Sequence, residues 1–392
     1  MEAIIQNTWT NSTADDWIIN SSIVPDLLNF FLSSSSSGSL KLYNIDKYSQ
    51  APISTVAKAH ESSIHSFKFF DQHSLASCST DGIKLWDLRG NCLKPVKCLS
   101  TPKKSNFLCL DNKENFLAGG TELFGQDAEV FLWDLRNTED IVRSFVDSHH
   151  DDVTDIKFHP SSSSSLLMSG STDGYVNVYD LNQKEEDDAL HQVINYGSVH
   201  SCNFIRDDRI AVLTHFETLC FHPLNNMNYE ELQETNPKDM GDVRNLWPNC
   251  QYVLKLSPNG FVSYGSNASS SLTLCPFNPH LEEFYLDKSI TFPGAHGEEV
   301  VRDLEVVPNA PYALTCGEDG SIKCWKLPYT VEFFGDLGLD KSVAENHHSA
   351  DFSNNSQLKV IDHSGEKNNK KNRKSSKKDK SKKKTDVRFK PY

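Results

Sequence analysis

The feature that most constrains the fold of this chain is a short sequence motif that recurs along its length. Three copies, at 75–88, 167–181 and 314–327, share an apolar segment, an Asp-Gly pair and an alternating segment that ends near an aromatic residue. A fourth copy, at 129–135, keeps only the alternating part. Asp-Gly favours the positive φ of a tight turn, and alternation places every second side chain on one face. Each complete copy therefore predicts a β-hairpin.

Weaker copies at 31–45, 209–224 and 262–277 complete the series. One anchor residue falls near the end of each copy: Tyr43, Trp86, Trp133, Tyr179, Phe221, Cys275 and Trp325. The anchors follow one another at intervals of 42 to 54 residues. Repeats of about 40–45 residues with four short strands are typical of β-propeller blades. The sequence thus predicts an all-β protein in which residues 1–330 form a single seven-bladed β-propeller.

Residues 3–9 alternate enough to form a strand, yet they precede the first copy. We expect them to be the outer strand of the blade that contains Trp325, because closure of this kind removes the open edges of the ring. Residues 329–334 are the rival for that place.

The net charge of −14 combines two opposite parts. Residues 367–392 hold 13 basic and two acidic side chains, and residues 1–366 hold 26 basic and 51 acidic ones. We therefore predict an acidic propeller, a flexible linker over 331–366 and a disordered basic tail over 367–392. A body charge of −25 against a tail charge of +11 indicates that the two parts meet different partners.

Composition excludes other classes of protein. The densest apolar run, at 27–32, is interrupted by Asn29 and falls far short of the roughly 18 residues of a membrane helix. The ten cysteines include no C-x-x-C pair and no regular framework. We expect an intracellular protein without disulfides, cofactors or a membrane partner.

The repeats resemble those of the WD-repeat family over nearly all of residues 17–327. This resemblance implies a hydrogen-bonded set of four side chains within a blade. The matching sets are His60, Ser77, Asp81 and Trp86; His149, Ser169, Asp173 and Tyr179, with Tyr in place of Trp; and His296, Thr315, Asp319 and Trp325. The logic is that a buried carboxylate needs partners, which the imidazole and hydroxyl supply.

Several blades depart from this pattern. Ser37 stands where the first blade should carry Asp, so Ser37→Asp is expected to repair that set, and the fifth and sixth blades show no recognisable set. The phrases at 120–122, 127–136, 150–160, 213–215 and 242–244 resemble the subgroup called WD repeat-containing protein eighty-nine. That closer resemblance implies the fold and leaves the activity open.

No catalytic, cofactor-binding or metal-binding residues are predicted. His149, His150, Asp151 and Asp152 have ligand chemistry, but adjacent residues point in divergent directions and His149 belongs to a blade set. A catalytic triad would occur once in one cleft, not once per blade. We expect a protein that is not an enzyme.

Two sets of residues are candidates for contact with partners. The first comes from the phrases above and from an insertion at 121–128, which lengthens a turn beside the channel mouth: Glu122, Leu123, Phe124, Asp152, Asp242 and Arg244. The second is Arg89 and Arg136, which follow the Trp-Asp pairs of consecutive blades. In some propellers such a pair docks a cullin-type ubiquitin-ligase adaptor, although Arg at this place is also an ordinary surface ion-pair partner.

The tail carries two basic clusters that read as a nuclear import signal for importin: Lys370, Lys371, Arg373, Lys374, Lys377, Lys378, Lys382, Lys383 and Lys384. Weak RNA contact and a merely solvating role are the alternatives. We therefore expect a nuclear protein, with the cytoplasm also possible, that acts as a scaffold for a basic partner of histone-like or ribosomal-protein-like character. The alternative function is a substrate receptor of a cullin-type ubiquitin ligase. We also expect the tail to compete weakly for the acidic body.

Overall fold

The computed structural model describes residues 1–11, 15–46, 50–89, 94–226 and 236–331. Strand β1 (Ile4–Thr10) belongs to the last sheet of the ring. The other strands form seven antiparallel sheets in chain order. Within each sheet, or blade, we call the strands a to d, with strand a innermost.

The first three blades have regular four-stranded sheets. Blade one consists of β2 (Ile18–Val24), β3 (Leu27–Ser35), β4 (Leu40–Asn44) and β5 (Ser54–Val56). Blade two consists of β6 (Ser66–Asp71), β7 (Ser74–Ser79), β8 (Gly82–Asp87) and β9 (Lys94–Leu99). Blade three consists of β10 (Phe107–Lys113), β11 (Phe116–Thr121), β12 (Ala128–Asp134) and β13 (Asn137–His149).

Blades four and five add short insertions. Blade four consists of β14 (Val153–Phe158), β15 (Leu166–Ser171), β16 (Tyr175–Asp180) and β17 (Leu190–Asn195), with helix α1 (Glu186–Ala189) before the last strand. Blade five consists of β18 (Val199–Arg206), β19 (Arg209–Thr214), β20 (Thr218–Pro223) and β21 (Lys238–Asp242). A 3-10 turn, Val243–Asn245, leads into blade six.

Blade six consists of β22 (Tyr252–Ser257), β23 (Phe261–Ser266), β24 (Ser271–Asn278) and the outer strand β26 (Ile290–Pro293). The short strand β25 (Glu283–Phe284) pairs with the end of β24, and a 3-10 turn, Leu286–Lys288, precedes β26. Blade seven consists of β27 (Val301–Val306), β28 (Tyr312–Gly317) and β29 (Ser321–Lys326), and β1 completes it. All seven anchor residues lie on strand c of their blades. The predicted all-β, seven-bladed propeller is therefore confirmed.

The ring closes through its first strand. β1 pairs with β29, with Ile4 opposite Lys326 and Thr10 opposite Ser321. Trp9 is fully buried and packs against Phe31, with ring centroids 5.1 Å apart. The predicted closure by residues 3–9 is confirmed. Tyr329 to Val331 form no strand, and the rest of the rival segment lies outside the described residues.

The hydrophobic core lies between neighbouring blades. The cluster around Trp9, for example, joins Phe31 and Tyr43 of blade one to Leu314 and Ile322 of blade seven. Each blade therefore buries its apolar surface only when its neighbours are present, as stacked repeats require.

The inner strands line a central channel of about 660 Å³. In six blades the pairing of strands a and b skips one residue near the start of strand a: Ile19, Leu108, Thr154, His200, Leu254 and Arg302. Such β-bulges re-aim a side chain, and five of these residues line the channel.

Three inner-strand carboxylates tie one blade to the next. Asp111 accepts a hydrogen bond from the Phe158 amide at 2.8 Å. Asp155 and Asp303 accept from the amides of Cys202 and Ser21, each at 3.0 Å. These bonds join blades three to four, four to five and seven to one.

The ends of the sheets define two faces. The b–c turns and the connections from strand d to the next strand a lie at one end, which we call the upper face. The a–b and c–d turns lie at the other end, the lower face. No helix among the described residues is long and apolar enough to cross a membrane.

Candidate functional site

The four-residue set of blade two is assembled in the structure. The Trp86 indole donates to Ser77 Oγ at 2.8 Å, and Ser77 Oγ lies 2.6 Å from His60 Nε2. Because the indole can only donate, the Ser77 hydroxyl is free to donate to His60 Nε2. The other nitrogen, Nδ1, then carries the proton that contacts Asp81. The set runs from the buried Trp86 to the turn that holds Asp81.

Blades four and seven repeat this arrangement. His149 lies 2.7 Å from Ser169 Oγ and 3.0 Å from Asp173, and His296 lies 2.9 Å from Thr315 Oγ1 and 2.7 Å from Asp319. Tyr179 contacts Ser169 at 3.3 Å in place of the indole, and Trp325 donates to Thr315 at 2.8 Å.

The environment of these sets keeps the carboxylates charged. Burial alone would raise the pKa of Asp319, but hydrogen bonds from His296 and Ser321 outweigh it, and the pKa lies below its usual value. Hydrogen bonding likewise lowers the pKa of Asp81 and of Asp173 against the effect of burial. Burial lowers the pKa of His60. The same geometry recurs around the ring and connects the upper-face turns to the core, as a structural device does.

Blade one supplies its carboxylate from elsewhere in the chain. Asp16, which precedes β2, accepts from the Ser37 amide at 3.0 Å and from the Asn11 side chain at 3.0 Å. The side chain of Asp16 therefore takes the place that the sequence pattern assigned to residue 37. The repeat pattern gives no sign of Asp16, because this residue lies 21 positions before the turn that it stabilises.

Blades three and five have lost the set. Strand registers place Gly119 and Val212 where the assembled blades have Ser or Thr. Four residues further on, where those blades carry Asp, stand Leu123 and Phe216. In blade three the space is filled by aromatic packing, with Phe107 against Trp133 at 5.8 Å.

The inserted turn of blade three holds three of the candidate contact residues. The amide of Leu123 donates to Asp152 at 2.8 Å, and Glu122 accepts from the Asn106 side chain at 2.7 Å. Phe124 is 64% exposed at the tip of the turn. The structure thus brings Glu122, Leu123, Phe124 and Asp152 together on the upper face.

The remaining two candidates lie beside blade five on the same face. Arg244 makes a two-pronged ion pair with Asp242, at 2.9 and 2.7 Å, and its guanidinium also donates to the Phe216 carbonyl at 3.4 Å. Glu217, in the same turn, accepts from the Val253 amide of blade six at 2.9 Å. Asp242 and Arg244 therefore form a second group, separated from the first by blade four.

The most exposed aromatic residue of this face, Phe216, is not among the contact residues predicted from the sequence. Phe216 is 67% exposed, and Tyr175 and Leu246 of the same face are 39% and 46% exposed. The available signal was the position of Phe216 four residues after Val212, where a set-bearing blade has Asp.

The histidine and aspartate run at 149–152 is divided among several contacts. His149 belongs to the set of blade four, Asp152 holds the turn of blade three, and His150 lies 3.6 Å from Asp127. Among the described residues, no group of three or more His, Cys, Asp or Glu side chains is arranged to hold a metal ion.

Arg89 and Arg136 lie on the lower face, in the c–d turns of blades two and three. Their side chains are 74% and 65% exposed, and each forms an ion pair with the aspartate two residues earlier, Asp87 and Asp134. They are well separated by topology from the upper-face residues. The basic clusters over 370–384 lie outside the described residues.

Comparisons with known proteins identify the repeats. The WD domain, G-beta repeat family matches residues 140–180 and 287–326. An uncharacterised WD repeat-containing protein of Saccharomyces cerevisiae is 40% identical over 321 residues, covering 80% of this chain and 79% of its own length. A similar protein of Schizosaccharomyces pombe is 29% identical over 72% of this chain and 88% of its own length. The WD repeat-containing protein 89 homolog of Dictyostelium discoideum is 32% identical over 47% of this chain and 48% of its own length. The resemblance seen in the sequence is confirmed.

Proposed function

Because the chain belongs to the family of WD repeat-containing proteins, whose propellers generally bind other proteins and are not enzymes, we propose that its upper face receives a basic segment of a partner protein. The partner would be of histone-like or ribosomal-protein-like character. Fold alone does not select a partner, so the proposal rests on the surface itself.

One observation carries the proposal. All four aromatic residues that are strongly exposed among the described residues lie on the upper face: Trp17, Phe124, Tyr175 and Phe216. The turns and connections of that face hold fourteen acidic and four basic side chains. Exposed aromatic residues are enriched at protein interfaces, and an acidic field speeds the approach of a cationic partner. The lower face is acidic as well, but it exposes no large aromatic side chain among its described residues.

The test uses full-length protein and two basic probes, purified core histones and purified ribosomal proteins. Glu122→Gln, Asp127→Asn and Asp151→Asn together remove three charges from the upper face. Glu185→Gln, Asp187→Asn and Asp188→Asn remove three from exposed lower-face positions as a matched control. We expect association to slow about tenfold for the first variant, with little change for the control. Equal effects, or no binding of either probe, would refute the proposal.

We further propose that the protein is nuclear and that its basic tail is the import signal. Support comes from the density of Lys and Arg over 370–384. A fluorescent fusion lacking 367–392 is expected to lose nuclear accumulation, whereas one in which Ser375, Ser376 and Ser381 are replaced by alanine is expected to keep it. Unchanged accumulation without the tail would disprove this role.

A ubiquitin-ligase receptor is the second candidate, supported by the equivalent and exposed positions of Arg89 and Arg136 on adjacent blades. The double variant Arg89→Ala and Arg136→Ala is expected to abolish co-purification with a cullin-4-type adaptor, and unchanged co-purification would contradict this role. Arg206→Ala, at another Asp–Arg pair, is the control.

A further inference from the structure

The two most exposed aromatic residues of the upper face occupy related places. Phe216 stands at the b–c position where blades two, four and seven carry the aspartate of their sets, and Leu123 stands there in blade three, followed by Phe124. In the set-bearing blades this position serves the fold, because its carboxylate is bonded to a buried histidine. In blades three and five the residue at this position has no carboxylate and is not bonded to a buried histidine.

The b–c turns of blades three and five carry apolar side chains that contribute little to the core. Phe124 and Phe216 are 64% and 67% exposed, and Leu123 is 38% exposed. Tyr175 of blade four and Leu246 beyond blade five continue the series around the ring. We name this set, Leu123, Phe124, Tyr175, Phe216 and Leu246, the apolar arc. It follows three consecutive blades along the upper face.

The turns that carry the arc are held in place before any partner arrives. The Phe124 amide donates to the Asp127 carbonyl at 3.1 Å, and Asp152 fixes Leu123. Arg244 contacts the Phe216 carbonyl, and Glu217 ties the same turn to blade six. A turn whose backbone is already ordered loses less conformational entropy on binding, which favours its use as an anchoring point.

Acidic side chains flank the arc. Glu122 and Asp127 lie in the turn of Phe124, Asp151 and Asp152 lie between blades three and four, and Glu217 adjoins Phe216. A lone apolar patch would suit many occupants. An apolar patch bordered by carboxylates suits a chain that offers apolar and cationic side chains together.

We propose that the apolar arc binds an amphipathic basic segment of a partner protein, in which apolar side chains seat on Phe124 and Phe216 while lysines or arginines face the flanking carboxylates. This inference rests on the proposed function and adds the chemistry of the partner: positive charge brings the segment to the face, and its apolar residues determine affinity. A purely cationic chain binds weakly and without dependence on the arc.

The test uses two synthetic 20-residue peptides with the same eight lysines. One carries leucine or phenylalanine at every third or fourth position, and the other carries serine there. The binding partners are the full-length protein, the double variant Phe124→Ser and Phe216→Ser, and the control Leu281→Ser, whose leucine is 58% exposed on the lower face.

We expect the wild type to bind the apolar peptide at least tenfold more tightly than the serine peptide, and the double variant to lose that advantage while retaining the salt dependence of both. The Leu281→Ser control is expected to behave as the wild type. Equal affinity of wild type and double variant for the apolar peptide would overturn this inference alone. Binding of neither peptide, or insensitivity to the three upper-face acid substitutions, would overturn the proposed function as well.

Discussion

At the scale of single residues, the sets of blades two, four and seven show how a partly buried carboxylate is stabilised. Asp319 accepts from His296, from the Ser321 amide at 3.0 Å and from the Ser321 hydroxyl at 2.6 Å. Its side chain remains 23% exposed, whereas that of His296 is fully buried. Loss of the carboxylate would leave the Ser321 hydroxyl, 3.3 Å away, as the remaining neighbour of His296 Nδ1, and a weakly paired buried imidazole costs stability.

We expect Asp319→Ala to lower the free energy of unfolding by about 2–3 kcal/mol, which is the cost of leaving buried polar groups unpaired. Urea denaturation of the purified protein measures it. Asp188→Ala, at an exposed position, is the control and is expected to change stability by less than about 0.5 kcal/mol. A loss below about 0.5 kcal/mol for Asp319→Ala would mean that water replaces the carboxylate.

Ser37→Asp is now expected to destabilise the protein, whereas the repeat pattern suggested that it would stabilise blade one. Asp16 already fills the carboxylate position of blade one, with Ser37 as its donor. The Ser37 amide already lies 3.0 Å from the Asp16 carboxylate, so a second carboxylate at position 37 would lie close to the first. Two like charges so close together destabilise the folded state. We expect the midpoint of urea unfolding to fall for Ser37→Asp, and to recover when Asp16→Asn is combined with it. A rise for the single variant would restore the original expectation.

At the scale of elements, β1 is the closing strand and Trp9 is its main anchor. Trp9 is fully buried and contacts Phe31 and Tyr43, whereas Ile4 of the same strand is 64% exposed. We expect Trp9→Ala to destabilise by about 3–5 kcal/mol and Ile4→Ala by less than about 0.5 kcal/mol. Thermal unfolding, followed by a circular dichroism signal that does not depend on tryptophan, measures both changes. Similar melting temperatures for the two variants would contradict closure through β1.

A lysine of blade three binds three carbonyls of the serine-rich a–b loop of blade four. Lys113 Nζ donates to the carbonyls of His159, Ser161 and Ser164 at 2.9, 2.5 and 2.7 Å. We expect Lys113→Met to cost about 2 kcal/mol, because three acceptors lose their donor. Hydrogen exchange should rise within 160–165 and remain unchanged in blade seven. Lys58→Met, at an exposed position, is the control.

The extent to which the sequence predicted these features depends on spacing. The sets of blades two, four and seven were visible because their members recur at fixed intervals, and β1 was visible because its alternation had no other blade to join. The roles of Asp16 and Phe216 could not be predicted from the repeats. Asp16 bonds a turn 21 residues further along the chain, and Phe216 is marked only by the absence of an aspartate at its position. The apolar arc also requires the order of the blades in space, which no linear pattern displays.

At the scale of the whole molecule, buried histidines link stability to pH. Burial lowers the pKa of His60, His65, His159, His200 and His222, so these side chains resist protonation in the folded state. In the unfolded chain they take up protons near pH 6.5. Their contribution is therefore fully present above about pH 6.5 and is lost as the pH falls toward the folded-state values.

We expect the free energy of unfolding to decrease between about pH 6.5 and pH 5, by up to about 1.4 kcal/mol per pH unit for each histidine within its window. Urea unfolding at constant ionic strength measures this decrease. The double variant His65→Asn and His200→Gln, which removes two channel-facing histidines, is expected to show a shallower dependence. A stability that does not change from pH 7.5 to pH 5 would contradict the assignment.

The closure of blade seven has a consequence for synthesis on the ribosome. β1 leaves the ribosome long before its partner strand β29, which ends at Lys326. At about 5–20 residues per second, β1 waits on the order of tens of seconds with its hydrogen-bonding edge and Trp9 unprotected. The nascent ring therefore stays open until β29 has emerged. We expect a protein that occupies this waiting strand, such as a general chaperone, to be needed early and released only when β29 emerges.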